Sequence, residues 1–206
     1  MPSIDPATIT DIDRYRLGIA AVVPRPIAWI TTCEADGAVN LAPFSYFNAV
    51  CSSPLMFSVS IADRDPPKDT LRNLQRSGEG VLHLVGPDDF EAMHLSAAAY
   101  PPGMSEVSAL KLETVPSETV AVPRLAACPV AFEVRYDRGI PLGDPDDAVT
   151  LVLLVATRIH VADAIADSRG FPDPHKHKTW ARLGGQSYLA PDGWTVVDRG
   201  RAKYPG

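Results

Sequence analysis

Twenty prolines divide this 206-residue chain, most of them standing between periodic segments, so the polypeptide is cut into many short elements joined by rigid turns. The clearest of these elements lie near the amino terminus. Ile27 to Glu34 is apolar and β-branched and ends at Asp36-Gly37, a dipeptide suited to the positive φ angles of a hairpin. Ala38 to Ser45 is then expected to return antiparallel. Beyond the Ser52-Ser53-Pro54 break, Phe57, Val59 and Ile61 alternate with Ser58 and Ser60, the period of a strand with one buried face. Val81 to Val85 reads as a buried strand. Val130, Phe132, Val134 and Tyr136 alternate again, and Val149 to Val161 is long enough for a strand bent across a barrel.

Helices are few and short. Asp69 is placed to cap a helix from Thr70 to Arg76, with Leu71 and Leu74 on one face and Gly78 at its end. Pro87-Asp88-Asp89 opens a second, with Phe90, Met93 and Ala97 on one stripe. From Ala98 to Pro123 the period is broken, and an ordered loop with little regular structure is expected. Strands do not alternate regularly with long helices, so the pattern predicts a mainly β, antiparallel barrel, closed or split, in a single domain over 1–206.

Composition narrows the function. The apolar fraction is 46% with 21% charged residues, which predicts a packed core. A net charge of −6 without a basic stripe argues against a nucleic-acid partner. Cys33, Cys51 and Cys128 are odd in number and lack Cys-x-x-Cys spacing, so a reduced, cytoplasmic setting is expected. Met1 to Arg14 shows neither a signal peptide nor an anchor, and the longest apolar run, Val149 to Ala156, is far short of the ~20 residues that cross a bilayer. His175 and His177 are flanked by Lys176 and Lys178 with no completing carboxylate or thiol set, so a solvated loop is expected rather than a metal site. His83 and His160 lie within apolar strands and are expected to be hydrogen-bonded. Trp29 is expected to pack in the core; Trp180 and Trp194 suit either core packing or a subunit contact.

Five pieces of the chain, in order, carry a resemblance: Arg25-Pro26-Ile27-Ala28-Trp29, Asn40-Leu41-Ala42-Pro43-Phe44-Ser45-Tyr46-Phe47-Asn48, Lys68-Asp69-Thr70-Leu71-Arg72-Asn73, Tyr100-Pro101-Pro102-Gly103 and Arg182-Leu183-Gly184-Gly185. Together they resemble the flavin reductase family of FMN-binding split barrels. The resemblance implies a homodimer with flavin near the subunit boundary, a nicotinamide donor, NADH or NADPH, and an electron acceptor that follows it into the pocket. A separate monooxygenase is a possible partner.

FMN has a phosphate, a polyol and a ring with an apolar face and a polar edge, and each needs a different partner. Lys68 offers a charge and Thr70 a hydroxyl, and the helix after Asp69 offers unpaired backbone N–H groups, a set suited to the phosphate. By spacing alone this triplet is equally an ordinary helix start. Backbone amides from Ala42 to Ser45 suit the ring's polar edge, with Pro43, Phe44 and Phe47 as apolar contacts and Asn40 at the head of the segment. The same stretch reads as a barrel strand whose aromatics fill the core. Asn48, Ser52 and Ser53 suit ribityl or phosphate oxygens, or a polar turn. Arg25, His94, Tyr100, Glu106 and Tyr188 are candidates for the rim of the nicotinamide and substrate pocket.

No protein nucleophile is needed in flavin chemistry, so none is sought as a catalytic residue. Gly184-Gly185 is no dinucleotide fingerprint, which argues against a Rossmann site. The expected activity is an NAD(P)H-dependent flavin reductase. A flavin-binding carrier or sensor without turnover stays open, as does an oxidase-like split barrel acting on a phosphorylated pyridoxine or another small substrate.

Overall fold

The computed structural model of the chain describes residues 1–62, 66–101, 103–144 and 148–196. In order they form α1 (Asp11–Ala21), β1 (Arg25–Pro26), β2 (Ala28–Cys33), β3 (Val39–Phe44), β4 (Phe47–Ser52), β5 (Leu55–Ala62), α2 (Asp69–Ser77), β6 (Glu79–Leu84), α3 (Phe90–Leu95), α4 (Glu106–Ala109), β7 (Thr114–Val115), β8 (Arg124–Leu125), β9 (Val130–Leu142), β10 (Val149–Val161), β11 (Ala181–Arg182) and β12 (Tyr188–Leu189). Seven strands make the principal antiparallel sheet in the order β3-β2-β6-β9-β10-β5-β4. The sheet curls until β3 approaches β5 without pairing with it, which leaves the barrel split. No helix among the described residues is long and apolar enough to cross a membrane.

Alternation along the strands sorts the core into two sides. Ala28 and Ile30 of β2, Phe44 of β3, Phe57, Val59 and Ile61 of β5, and Val152 and Leu154 of β10 fill the barrel, with Leu71 and Leu74 of α2 packed among them. Trp29 and Leu41 point the other way, into a second cluster with Met93 of α3 and Val107 of α4. Trp29 also donates its indole N–H to Ser96 Oγ at 2.9 Å. The bend expected in the long β10 is visible as register shifts against β9 at Leu153/Leu154 and Ala156/Arg158, where bulges increase local twist.

Two local expectations are corrected, and one helix was not expected. Asp69 does not cap α2: Lys68 occupies the cap position, its side chain makes no cap hydrogen bond, and Asp69 is the first residue of the helix, bonded instead to Arg72. Gly78 does end α2, with φ 72° in the left-handed region. The span from Ala98 to Pro123 does hold little regular structure: the short α4, started where Ser105 accepts the Ser108 N–H, and Thr114–Val115, which pairs with Arg124–Leu125; Pro102 lies outside the described residues. Phe90 and Met93 are on α3, but that helix stops at Leu95 and Ala97 is exposed beyond it. Finally, α1 is a helix that hydropathy did not announce, capped by Thr10 and largely exposed.

Candidate flavin site

A cleft of about 910 Å³ opens between β3, the start of α2 and the segment from Ser96 to Glu106. This is the upper part of the size range of small-molecule sites. Of the predicted cofactor residues it brings together Asn40, Ala42, Pro43, Lys68, Asp69 and Thr70, with Tyr100 and Glu106 from the predicted rim.

The ribbon strand and the helix tip are joined beneath the cleft. Asn40 donates to Thr70 Oγ1 and to Thr32 Oγ1, both at 3.0 Å. Asn73 donates to the same Thr32 hydroxyl at 3.1 Å and to Glu34 Oε1 at 2.9 Å. Asn40, Thr32, Thr70 and Asn73 are all buried. A network of this kind fixes the separation of two elements because buried polar groups are costly to leave unpaired.

The charges around the cleft are arranged in pairs. Arg72 holds Asp69 Oδ1 at 2.6 Å and Glu34 Oε2 at 2.9 Å, and the Glu34 bond chiefly raises its already high pKa. Two of the lining carboxylates are thereby engaged by one guanidinium. Half-buried Lys68 stands at the start of α2, whose first-turn N–H groups meet no capping side chain among the described residues. A cation beside uncapped amides suits a phosphate, so this donor set fits FMN.

Other candidates lie elsewhere. Phe44 is in the barrel core, and the Phe47 ring packs 5.8 Å from that of Phe57. Ser45 is half-buried, while Asn48, Ser52 and Ser53 are exposed on or just past the edge strand β4. The five rim candidates separate into three places. Tyr100 and Glu106 line the cleft. His94 and Tyr188 belong to an aromatic cluster around Phe90, with the Tyr188 ring edge-on to Phe90 at 5.0 Å and under the Arg182 guanidinium at 4.4 Å. Arg25 is buried and donates to the carbonyls of Ile19, Val22 and Leu183, tying the end of α1 to the Leu183-Gly184 turn. There a Cβ on Gly184 would lie 3.1 Å from Ala20 Cα, so this motif is where α1 packs closely.

Sequence reasoning missed Glu34, Arg72 and Ser105 on the cleft wall. Arg72 stood within the Lys68–Asn73 motif, three residues from Asp69, which is the helical spacing of an ion pair. Glu34 and Ser105 gave no local signal, because tertiary folding alone brings them to the site.

The chain is an antiparallel split barrel with a polar cleft between β3 and the start of α2. The model of the flavin reductase like domain matches residues 20–173, and the chain belongs to that family. An uncharacterized protein of Halalkalibacterium halodurans is 36% identical over 189 residues, 90% of each chain. The crystal structure of nitrilotriacetate monooxygenase component B from Bacillus cereus superposes with a TM-score of 0.89 at 33% identity, covering 98% of both chains. The 2-nitrobenzoate 2-nitroreductase of Pseudomonas fluorescens superposes at 0.84 with 27% identity, covering 99% of this chain and 96% of that one. The fold is the split barrel, shared with a split-barrel-domain protein of Shewanella frigidimarina that superposes with a TM-score of 0.78 at 20% identity, covering 96% of this chain and 95% of that one.

Proposed function

We propose that this protein is an NAD(P)H-dependent flavin reductase that holds FMN in the β3/α2 cleft. The observation that carries this reading is the meeting of Ala42 and Pro43 with Lys68 and the uncapped start of α2 around one cleft of suitable size. Lys68, Thr70 and the first-turn amides of α2 would hold the phosphate, and the Asn40–Pro43 ribbon would lie along the ring. When bound, FMN supplies the chemistry, taking hydride from a nicotinamide and passing electrons to an acceptor. The chain's task is to bind, orient and leave one side accessible. Glu106 and Tyr100 lie on the wall where a second, transient ligand would enter.

The working unit is a cytoplasmic homodimer. Tyr46 and Val50, beside and on edge strand β4, are 48% and 51% exposed, an apolar surface that a second copy would cover. The likeness to a monooxygenase component B supports a partner oxygenase as consumer of the reduced flavin.

Titration of the purified protein with FMN, followed by anaerobic NADH or NADPH, tests the proposal. Stoichiometric flavin uptake and rapid bleaching of the flavin band are expected. Failure to take up FMN at micromolar concentration overturns the cofactor assignment. Uptake without bleaching by either nicotinamide overturns the reductase and favours a carrier.

A further inference from the structure

We infer that Ser105 and Glu106 are positioning residues for the flavin ribbon, clamping the outer edge of β3 by direct hydrogen bonds from the start of α4. The inference rests on the flavin reading above and assigns these two side chains a role in setting the ribbon's shape. β3 is the terminal strand of the principal sheet, paired only with β2 within it. Every second residue of such a strand turns its backbone groups away from the sheet, and these groups need other partners.

In β3 the successive positions Val39, Leu41 and Pro43 face outward. Val39 O accepts the Ser105 hydroxyl at 2.6 Å. The Leu41 N–H donates to Glu106 Oε2 at 2.9 Å. Pro43, next in the same register, has no N–H to satisfy, as suits an edge position. Adjacent residues at the start of α4 therefore take one acceptor and one donor of the strand's outer edge. Ser105 also accepts the Ser108 N–H that begins α4, so the clamp and the helix form together.

The clamp is buried where it bears on the ribbon. Glu106 is 8% exposed, Leu41 is fully buried, and the Leu41 side chain packs with Val107 in the second core cluster. Desolvation raises the Glu106 carboxyl above its usual range, against the Leu41 bond, which lowers it. A carboxylate kept in so dry a place with a backbone amide as its partner is a costly substitute for a neighbouring strand. It is consistent with a site where the strand edge has to stay open for a ligand. A paired strand would close the edge along which Ala42 and Pro43 line the cleft.

The test uses full-length Glu106→Ala, Glu106→Gln and Ser105→Ala, with two readouts. In ligand-free protein, amide hydrogen exchange at Leu41 is expected to quicken about tenfold or more in Glu106→Ala, with Val81 and Leu82 of β6 unchanged. In the same variant FMN is expected to bind about tenfold more weakly, while Glu106→Gln, which keeps an acceptor for the Leu41 N–H, restores binding to within about threefold of the parent. Ser105→Ala is expected to show a smaller shift in both, and it serves if Glu106→Ala does not fold. Unchanged Leu41 exchange overturns the clamp whether or not FMN binds. Faster exchange with unaltered FMN affinity overturns its role toward the ribbon. A parent protein that takes up no FMN defeats the flavin reading, and the exchange result then judges the clamp alone.

Discussion

Asn40 of β3 and Thr70 of α2 are joined side chain to side chain at 3.0 Å, the direct bond in the network that holds the two halves of the candidate flavin site in register. Both residues are buried, so neither polar group can fall back on bulk water without a structural change. Asn40→Ala and Thr70→Val are each expected to lower stability by about 1–3 kcal/mol, the cost of leaving a buried partner unsatisfied. The double variant is expected to lose less than the sum, with a coupling of about 0.5–1.5 kcal/mol. Urea denaturation of the four proteins checks this, and strict additivity would separate the strand from the helix tip.

Lys68 and Arg72 are both cations of the cleft, but they have different work. Lys68→Ala removes a charged donor from the proposed phosphate seat and is expected to weaken FMN binding more than tenfold, about 1.5–3 kcal/mol. The loss should shrink as salt rises, because the residue is only half-buried. Arg72→Met is expected to act indirectly by releasing Asp69 and Glu34, whose carboxylates it now engages. Fluorescence titration of FMN at low and high ionic strength checks both, and equal affinity in Lys68→Ala would move the phosphate elsewhere.

The barrel was legible in the sequence wherever one face of a strand is buried, since period two then appears directly, as in Phe57, Val59 and Ile61. The helix of Leu71 and Leu74 was legible for the same reason at period 3.6. α1 was not, because it lies on the surface with Ile19 as its buried residue and so carries little periodic signal. In the candidate cleft, Asn40, Pro43, Lys68 and Thr70 come together because they sit in two short motifs that the fold brings to one place. Glu106 was recognisable as a rim candidate, but its bond to Leu41 depends on a contact 65 residues away in sequence. His94 and Tyr188, also rim candidates, lie around Phe90, a cluster that only the fold assembles.

His83 carries a pH dependence that its strand position foreshadowed. Its Nδ1 lies 2.9 Å from the Trp29 carbonyl, and its Nε2 accepts the Leu125 N–H at 2.9 Å, an arrangement met by the neutral ring with the proton on Nδ1. Burial lowers its pKa from 6.5 to about 4, against the Trp29 bond, which raises it. Below pH 6.5 the unfolded chain gains a proton that the folded chain refuses until about pH 4. Stability from this group is therefore complete above pH 6.5 and falls as the pH drops toward 4, by on the order of 3 kcal/mol. His83→Gln should start less stable at pH 7 and lose less between pH 6.5 and 4.5; urea midpoints across that range measure the difference.

Glu133 extends the acid sensitivity to lower pH through a different device. The carboxylate is fully buried, yet it accepts the Glu118 N–H at 2.7 Å, the Thr119 N–H at 2.5 Å and the Thr119 hydroxyl at 2.6 Å, and lies 2.7 Å from His160 Nε2. These bonds fasten the turn around Thr119 to β9 and β10. Burial pushes the carboxyl up, but the Thr119 hydroxyl, the Glu118 N–H, His160 and the Thr119 N–H together outweigh it and bring the pKa from 4.5 down to about 2. A depressed carboxyl stabilises the fold above its unfolded value, and the contribution is lost as pH falls from 4.5 toward 2. The amount is on the order of 3 kcal/mol. Glu133→Gln is expected to lower the urea midpoint at pH 7 and to flatten its decline between pH 4.5 and 3, while FMN binding by the folded variant, at a cleft on other elements, stays within about twofold. A decline in this window as steep as the parent's would mean that other carboxylates set the acid limit.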